Sequence, residues 1–225
     1  GSAQIGGRSA LVRGLVLLQF ALSMALVVGT FVMSDQLDYM QDNLGFRTEQ
    51  VVRIGNIAST RDGKDIYDPF REEAQRHPGV QRVAASNFAF FGDGGMDARV
   101  TAAGTEDVTA AAHTVDSTFT ETLSIDIVQG RGFPARTGAN DQAVLVNEAL
   151  VQAMGWASPV GKKIRFGDDS IVGNFLQEAT VIGVVENVHT RFMLHRIDPG
   201  MFLSNARVDG GVQIVFGRLA LDRSR

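Results

Sequence analysis

Residues 14–33 form an unbroken run of 20 uncharged, mostly apolar residues close to the N-terminus. At about 1.5 Å per residue, a helix of that length covers about 30 Å, the hydrocarbon thickness of a bilayer. Gln19, Ser23 and Thr30 are its polar side chains, each small or neutral enough to face a neighbouring helix. Length separates the run from two alternatives. A cleaved signal sequence has an apolar centre of about 7–15 residues followed by a small-residue cleavage site, and here the nearest such pattern, Ser23–Ala25, lies inside the run. A core helix of a soluble domain keeps a polar face. The run is therefore expected to cross a membrane.

Flanking charge orients it. Arg8 and Arg13 precede the run with no acid nearby, and Asp35, Asp38 and Asp42 follow it before the next base, Arg47. Positive charge stays on the cytoplasmic side of a span, which places the N-terminus in the cytoplasm and the rest of the chain outside it. Residues 34–225 suffice for one large domain or two small ones. A net charge of -4 with no basic stripe argues against nucleic acid. The absence of Cys removes thiolate zinc sites and intramolecular disulfides. The chain opens at Gly1 rather than Met and is expected to be an excised or processed piece of a longer protein.

Beyond the span, Leu37, Met40 and Leu44 recur at i, i+3 and i+7 in a polar stretch ending at Gly45, the pattern of an amphipathic stalk with a glycine stop. These three form the predicted stalk seam. Gln50–Ile54 reads as a strand. Asp68 as N-cap, Pro69 at the first helical position and Pro78-Gly79 as terminator bracket a short helix whose face is Tyr67, Phe70 and Ala74. With a strand at Val80–Ser86, residues 50–86 form a β-α-β unit. From Asn87 the texture changes to Gly-rich turns between short alternating segments, such as Ala98–Ala102 and Ala111–Val115. Ala143–Val146 reads as a buried strand entering a helix capped by Asn147, carrying Leu150 and Met154, and stopping at Gly155. Thr180–Val185 and Val212–Phe216 complete the strands.

Chemistry-bearing patterns are sparse. Ser158–Lys163 contains Gly161-Lys162, but Trp156 and Lys163 occupy positions where a phosphate loop needs Gly and Ser or Thr. His189 and His195, with Glu186 nearby, match no compact metal spacing. The turns at Gly92–Gly95 and Gly167–Asp169 lack the ligand alternation of a calcium loop. No nucleophile elbow or Cys nucleophile exists. No catalytic, cofactor-binding or metal residue is assigned, no cofactor is expected, and the chain is read as not an enzyme.

Three groups of residues nevertheless resemble one family. The first is Leu15–Gly45, with Gln19-Phe20, Gln36-Leu37 and Tyr39-Met40-Gln41. The second is Gly130-Arg131 with Phe133, Val146-Asn147-Glu148-Ala149, and Gly155-Trp156 with Pro159, Gly161 and Lys162. The third is Val181–Val185 with His189, closing at Pro199 and Met201-Phe202-Leu203. In this order and spacing they resemble the MacB/FtsX-like permease subunits of ABC transporters, specifically a membrane helix followed by a MacB-type periplasmic core domain. Gly132 and Glu186-Asn187 depart from the family pattern, so no family role is carried onto them.

The resemblance implies an α+β fold: an N-terminal transmembrane helix and stalk over residues 1–45, then a two-part extracytoplasmic domain. A porter-like α/β subdomain takes residues 46–86 and 212–225, and an inserted β-rich subdomain takes residues 87–211. It implies single passage through the inner membrane with a periplasmic domain. The porter helix and strand and the further spans of such permeases would follow Arg225. Implied partners are a cytoplasmic ABC ATPase subunit, a second permease half or homodimer partner, and a periplasmic adaptor or substrate protein. The implied function is to relay ATP-driven movement outward, toward drug or peptide export, lipoprotein extraction or hydrolase activation. A single-span receptor with an extracytoplasmic ligand-binding domain is the alternative, and an extracytoplasmic enzyme ranks third.

Overall fold

The computed structural model describes residues 5–42, 51–55, 63–87, 96–134, 142–167, 172–173, 176–190, 197–204 and 214–219. The chain divides into two compact units, Gly1–Asn43 and Leu44–Arg225. The first is one helix, α1 (Ile5–Asp42), whose 38 residues span about 57 Å at the α-helical rise. Within it Leu11–Tyr39 is long and apolar enough to cross a bilayer. Among the described residues, its large apolar side chains are exposed, Leu15 and Phe20 at 67% each and Phe31 at 68%.

The second unit is α+β and begins with β1 (Val51–Gly55), α2 (Gly63–Arg76) and β2 (Val80–Ser86). The last described strand, β10 (Ile214–Leu219), lies between β1 and β2 and is antiparallel to both. β1 and β2 therefore run parallel, and α2 is the crossover that parallel strands require. Tyr67 of α2 packs on Val83 and Ala85 of β2, with Phe70, Ala74 and Val80 around them. The predicted helix start needs correction. α2 begins at Gly63, so Asp68 is not its N-cap and Pro69 lies within it. Proline forfeits one backbone hydrogen bond there, and Tyr67 and Phe70 on either side of it pack against the sheet.

The rest of the unit is mostly strand: β3 (Met96–Thr101), β4 (Val108–Val115), α3 (Phe119–Leu123), β5 (Ile127–Gly130), β6 (Ala143–Asn147), α4 (Glu148–Ala153), β7 (Lys163–Phe166), β8 (Glu178–Val185) and β9 (Gly200–Ser204). Pairing runs β3-β4-β9-β6-β8-β7 and returns to β3, closing a six-stranded barrel. The β4–β9 and β6–β8 pairs are parallel and the others antiparallel, so the barrel is mixed. A barrel this small must be filled by its own side chains. Ala98, Val100, Ala110, Ala112, Val144, Val146, Ile164, Phe166, Val181, Val184, Met201 and Leu203 fill it, joined by Leu150 of α4 and by Met154 just after that helix. The Ala-rich stretch of β4 is explained by this narrow interior. Outside the barrel, Phe119 and Leu123 of α3 pack with Leu145, Val185 and Phe202, and Ala84 of β2 joins the same cluster. Among the described residues, β2 of the three-stranded sheet pairs with β4 of the barrel at one bridge, Ser86 opposite Val115.

Candidate functional site

Of the predicted seam, Leu37 lies on α1 and is 52% exposed; the side chains of Met40 and Leu44 fall outside the described residues. The helix continues through Asp42 without a break. Its end charges run against its macrodipole, with no acid in the first turn and no base in the last. Helix-end stabilisation, which favours the opposite arrangement, does not account for them.

In the domain, side chains tie the elements together at three places. The first is Asn147, which is 4% exposed at the junction of β6 and α4. Its Oδ1 accepts from Leu150 N at 2.9 Å as an N-cap and from Gly200 N at 2.9 Å, while Nδ2 donates to Asp198 O at 2.9 Å. Thus one side chain starts α4 and holds the entry to β9. Asn187 adds a second cap, accepting from Ala149 N at 2.9 Å, and its own N–H donates to Glu148 Oε2 at 3.2 Å.

The second place is the crossing of β5 over β8, where Gly130 stands opposite Gly183. Gly130 has φ +76°, and a Cβ there would collide with Ile182 O and come within 2.8 Å of Gly183 Cα. A Cβ on Gly183 would collide with Arg131 O.

The third place joins α2 to the β4–α3 turn. Asp116 is 8% exposed and accepts a hydrogen bond from the Tyr67 hydroxyl, itself on a residue 5% exposed. Burial pushes the Asp116 carboxyl above its ordinary value, against the hydrogen bonds from Tyr67 and Thr118 and the field of Arg71. Burial and then the neighbouring carboxylate push the Tyr67 hydroxyl upward as well.

The profile of the MacB-like periplasmic core domain matches residues 14–220. The chain belongs to that family. Among solved structures, it is similar to the periplasmic region of MacB from Actinobacillus actinomycetemcomitans, with a TM-score of 0.54 and 16% identity over 82% of this chain and 81% of that one. It is also similar to the extracellular domain of the noncanonic ABC-type transporter YknZ from Gram-positive bacteria, with a TM-score of 0.49 and 16% identity over 81% and 78% of the two chains. At 16% identity the likeness to the MacB periplasmic region speaks for the fold. No curated protein matches the sequence. The chain is thus an outer domain of a MacB-like ABC transporter permease.

Residues carrying the MacB-like resemblance have structural roles here. Asn147 and Gly130 are described above. Gly155 (φ +64°) follows α4, and Gly161 (φ +86°) lies in a turn where its N–H donates to Val181 O at 2.8 Å. Lys162 N closes that turn on Pro159 O at 3.1 Å, so Ser158–Lys163 is a turn that leads into β7 and is tied to β8 at Val181. His189 is half-buried, while His195, Gly92–Gly95 and Asp168-Asp169 fall outside the described residues. Among the described residues, no cluster of His and carboxylates has metal-site geometry. The Tyr67–Asp116 pair and the Asn187 cap escaped sequence reading because their partners lie 49 and 38 residues away along the chain. No local pattern announces such pairs.

Proposed function

We propose that this chain is the membrane-anchored extracytoplasmic domain of an ABC transporter permease, relaying movement driven by a separate cytoplasmic ATPase to export or to a periplasmic partner. MacB-type permeases work with a separate ABC ATPase. The observation that carries the relay is α1: it remains one helix for nine residues beyond Met33, and a continuous helix transmits a rotation or translation that a flexible joint absorbs. In this reading α2 with β1, β10 and β2 forms the porter-like subdomain, residues 87–211 form the insertion, and Leu37, Met40 and Leu44 are the seam by which the stalk packs on its partner. A second permease half or a second copy supplies that partner.

Two Gly residues inserted between Asp38 and Tyr39 in the intact permease cost about 1 kcal/mol of helix stability each and turn everything downstream by about 200°. Transport or partner activation is expected to fall while ATP hydrolysis continues and the protein stays folded and inserted. Unchanged transport would reduce the stalk to an anchor.

Orientation is tested separately. The chain has no Cys, so a single Cys at the exposed Glu106, between β3 and β4, reports sidedness. Expected is labelling by a membrane-impermeant maleimide in intact spheroplasts. Labelling only after lysis would reverse the topology.

A further inference from the structure

The joint between α2 and the barrel holds a buried carboxyl that the relay reading does not use. Asp116 N donates to Ala85 O at 3.0 Å, which pins the turn to β2. The carboxylate takes the Tyr67 hydroxyl from α2 and the Thr118 N–H at 3.1 Å. Thr118 Oγ1 lies 3.1 Å from both carboxylate oxygens and 2.8 Å from Val83 O. A hydroxyl has one proton to donate. When Thr118 donates to Val83 O, its oxygen faces Asp116 as an acceptor, and only a protonated carboxyl completes that contact. The ionised carboxylate must instead compete with Val83 O for the one Thr118 proton.

We propose that Tyr67, Asp116 and Thr118 form a proton-operated latch between α2 and the β4–α3 turn, closed when Asp116 holds its proton and loosened when it does not. Among the described residues, the titratable and charged groups acting on the pair are Tyr67, Arg71 and Asp68, all from α2; β2 contributes backbone and the turn contributes Thr118. Burial, which raises the proton affinity of Asp116, works in the same direction as the proton count. The closed latch therefore binds its proton more tightly than an opened, hydrated carboxyl. Rising pH favours opening, from the ordinary Asp value of about 4 up to the raised value of the closed state, and each pH unit within that window multiplies the opening equilibrium about tenfold.

The test is amide exchange of the intact chain in detergent between pH 4 and pH 8, corrected for intrinsic rates. Protection in residues 67–76 of α2 is expected to fall as pH rises, while β6 in the barrel shows no such dependence. Asp116→Asn should abolish the trend. Tyr67→Phe keeps the ring but removes a donor to the carboxylate, so its transition should move to higher pH, which provides a readout even if Asp116→Asn fails to fold. Flat protection in the natural chain, a trend that persists in Asp116→Asn, or an unmoved midpoint in Tyr67→Phe would each overturn the latch. The readout is independent of transport and stands apart from the relay proposal.

Discussion

Replacing Asn147 by Ala is expected to destabilise the domain by about 3–5 kcal/mol, a large share of the 5–15 kcal/mol that typically holds a domain folded. The substitution strips three hydrogen bonds at once and leaves Leu150 N, Gly200 N and Asp198 O without that partner. Each buried polar group left unmet costs about 1–3 kcal/mol, and the three costs share one site, so they do not simply add. Asn147 is 4% exposed, which limits the water available to replace it. Chemical unfolding of the intact chain in detergent, followed by far-UV circular dichroism, measures the loss. Asn187→Ala is the comparison, because it removes a single cap to Ala149 N from a half-exposed side chain, worth about 1 kcal/mol. If the two variants unfold within about 1 kcal/mol of each other, a margin set by ordinary capping energies, the reading of Asn147 as the tie between α4 and β9 fails.

Gly130→Ala is expected to cost about 2–5 kcal/mol, combining the penalty for an L side chain in the left-handed region with the strain of overpacking. The added methyl meets Ile182 O and Gly183 Cα, which are backbone atoms of β8 and cannot rotate away. β5 pairs only with β8 among the described residues, so the chain has a cheaper response than distorting the barrel: the strand peels off. Amide exchange should therefore rise sharply at residues 127–131 and hardly at all in β6. Gly155→Ala isolates the backbone contribution. Gly155 has φ +64° and open space around its would-be Cβ, so only the conformational penalty of about 1–2 kcal/mol applies. Equal losses in the two variants would show that the β5–β8 crossing is looser than drawn.

Much of this protein was legible in local pattern. The apolar run was legible as one long helix from its length and hydropathy alone, because a helix satisfies its own backbone hydrogen bonds. The β-α-β unit over residues 50–86 was readable because β-branched runs and Pro-Gly punctuation are local signals, although α2 starts at Gly63 and not after Asp68. Asn147 was readable as a cap because a cap acts on residues three positions ahead. Its grip on Gly200 and Asp198 was not, since those lie 53 and 51 residues on.

The closure of the barrel belonged to tertiary structure alone. β7 and β9 are 4 and 5 residues long and carry weak patterns, and β4–β9 and β6–β8 pair in parallel, which no hairpin signal foretells. The Ala residues of β4 look unremarkable in sequence and make sense only once six strands enclose a small space that Ala110 and Ala112 share with larger side chains such as Phe166 and Met201. The same holds for the Tyr67–Asp116 contact and for Gly130 opposite Gly183. Sequence determined what each segment is, because propensity, capping and hydropathy act over a few residues. Which segments meet was decided by the folded chain, because contact between distant residues depends on the register and closure of the whole sheet.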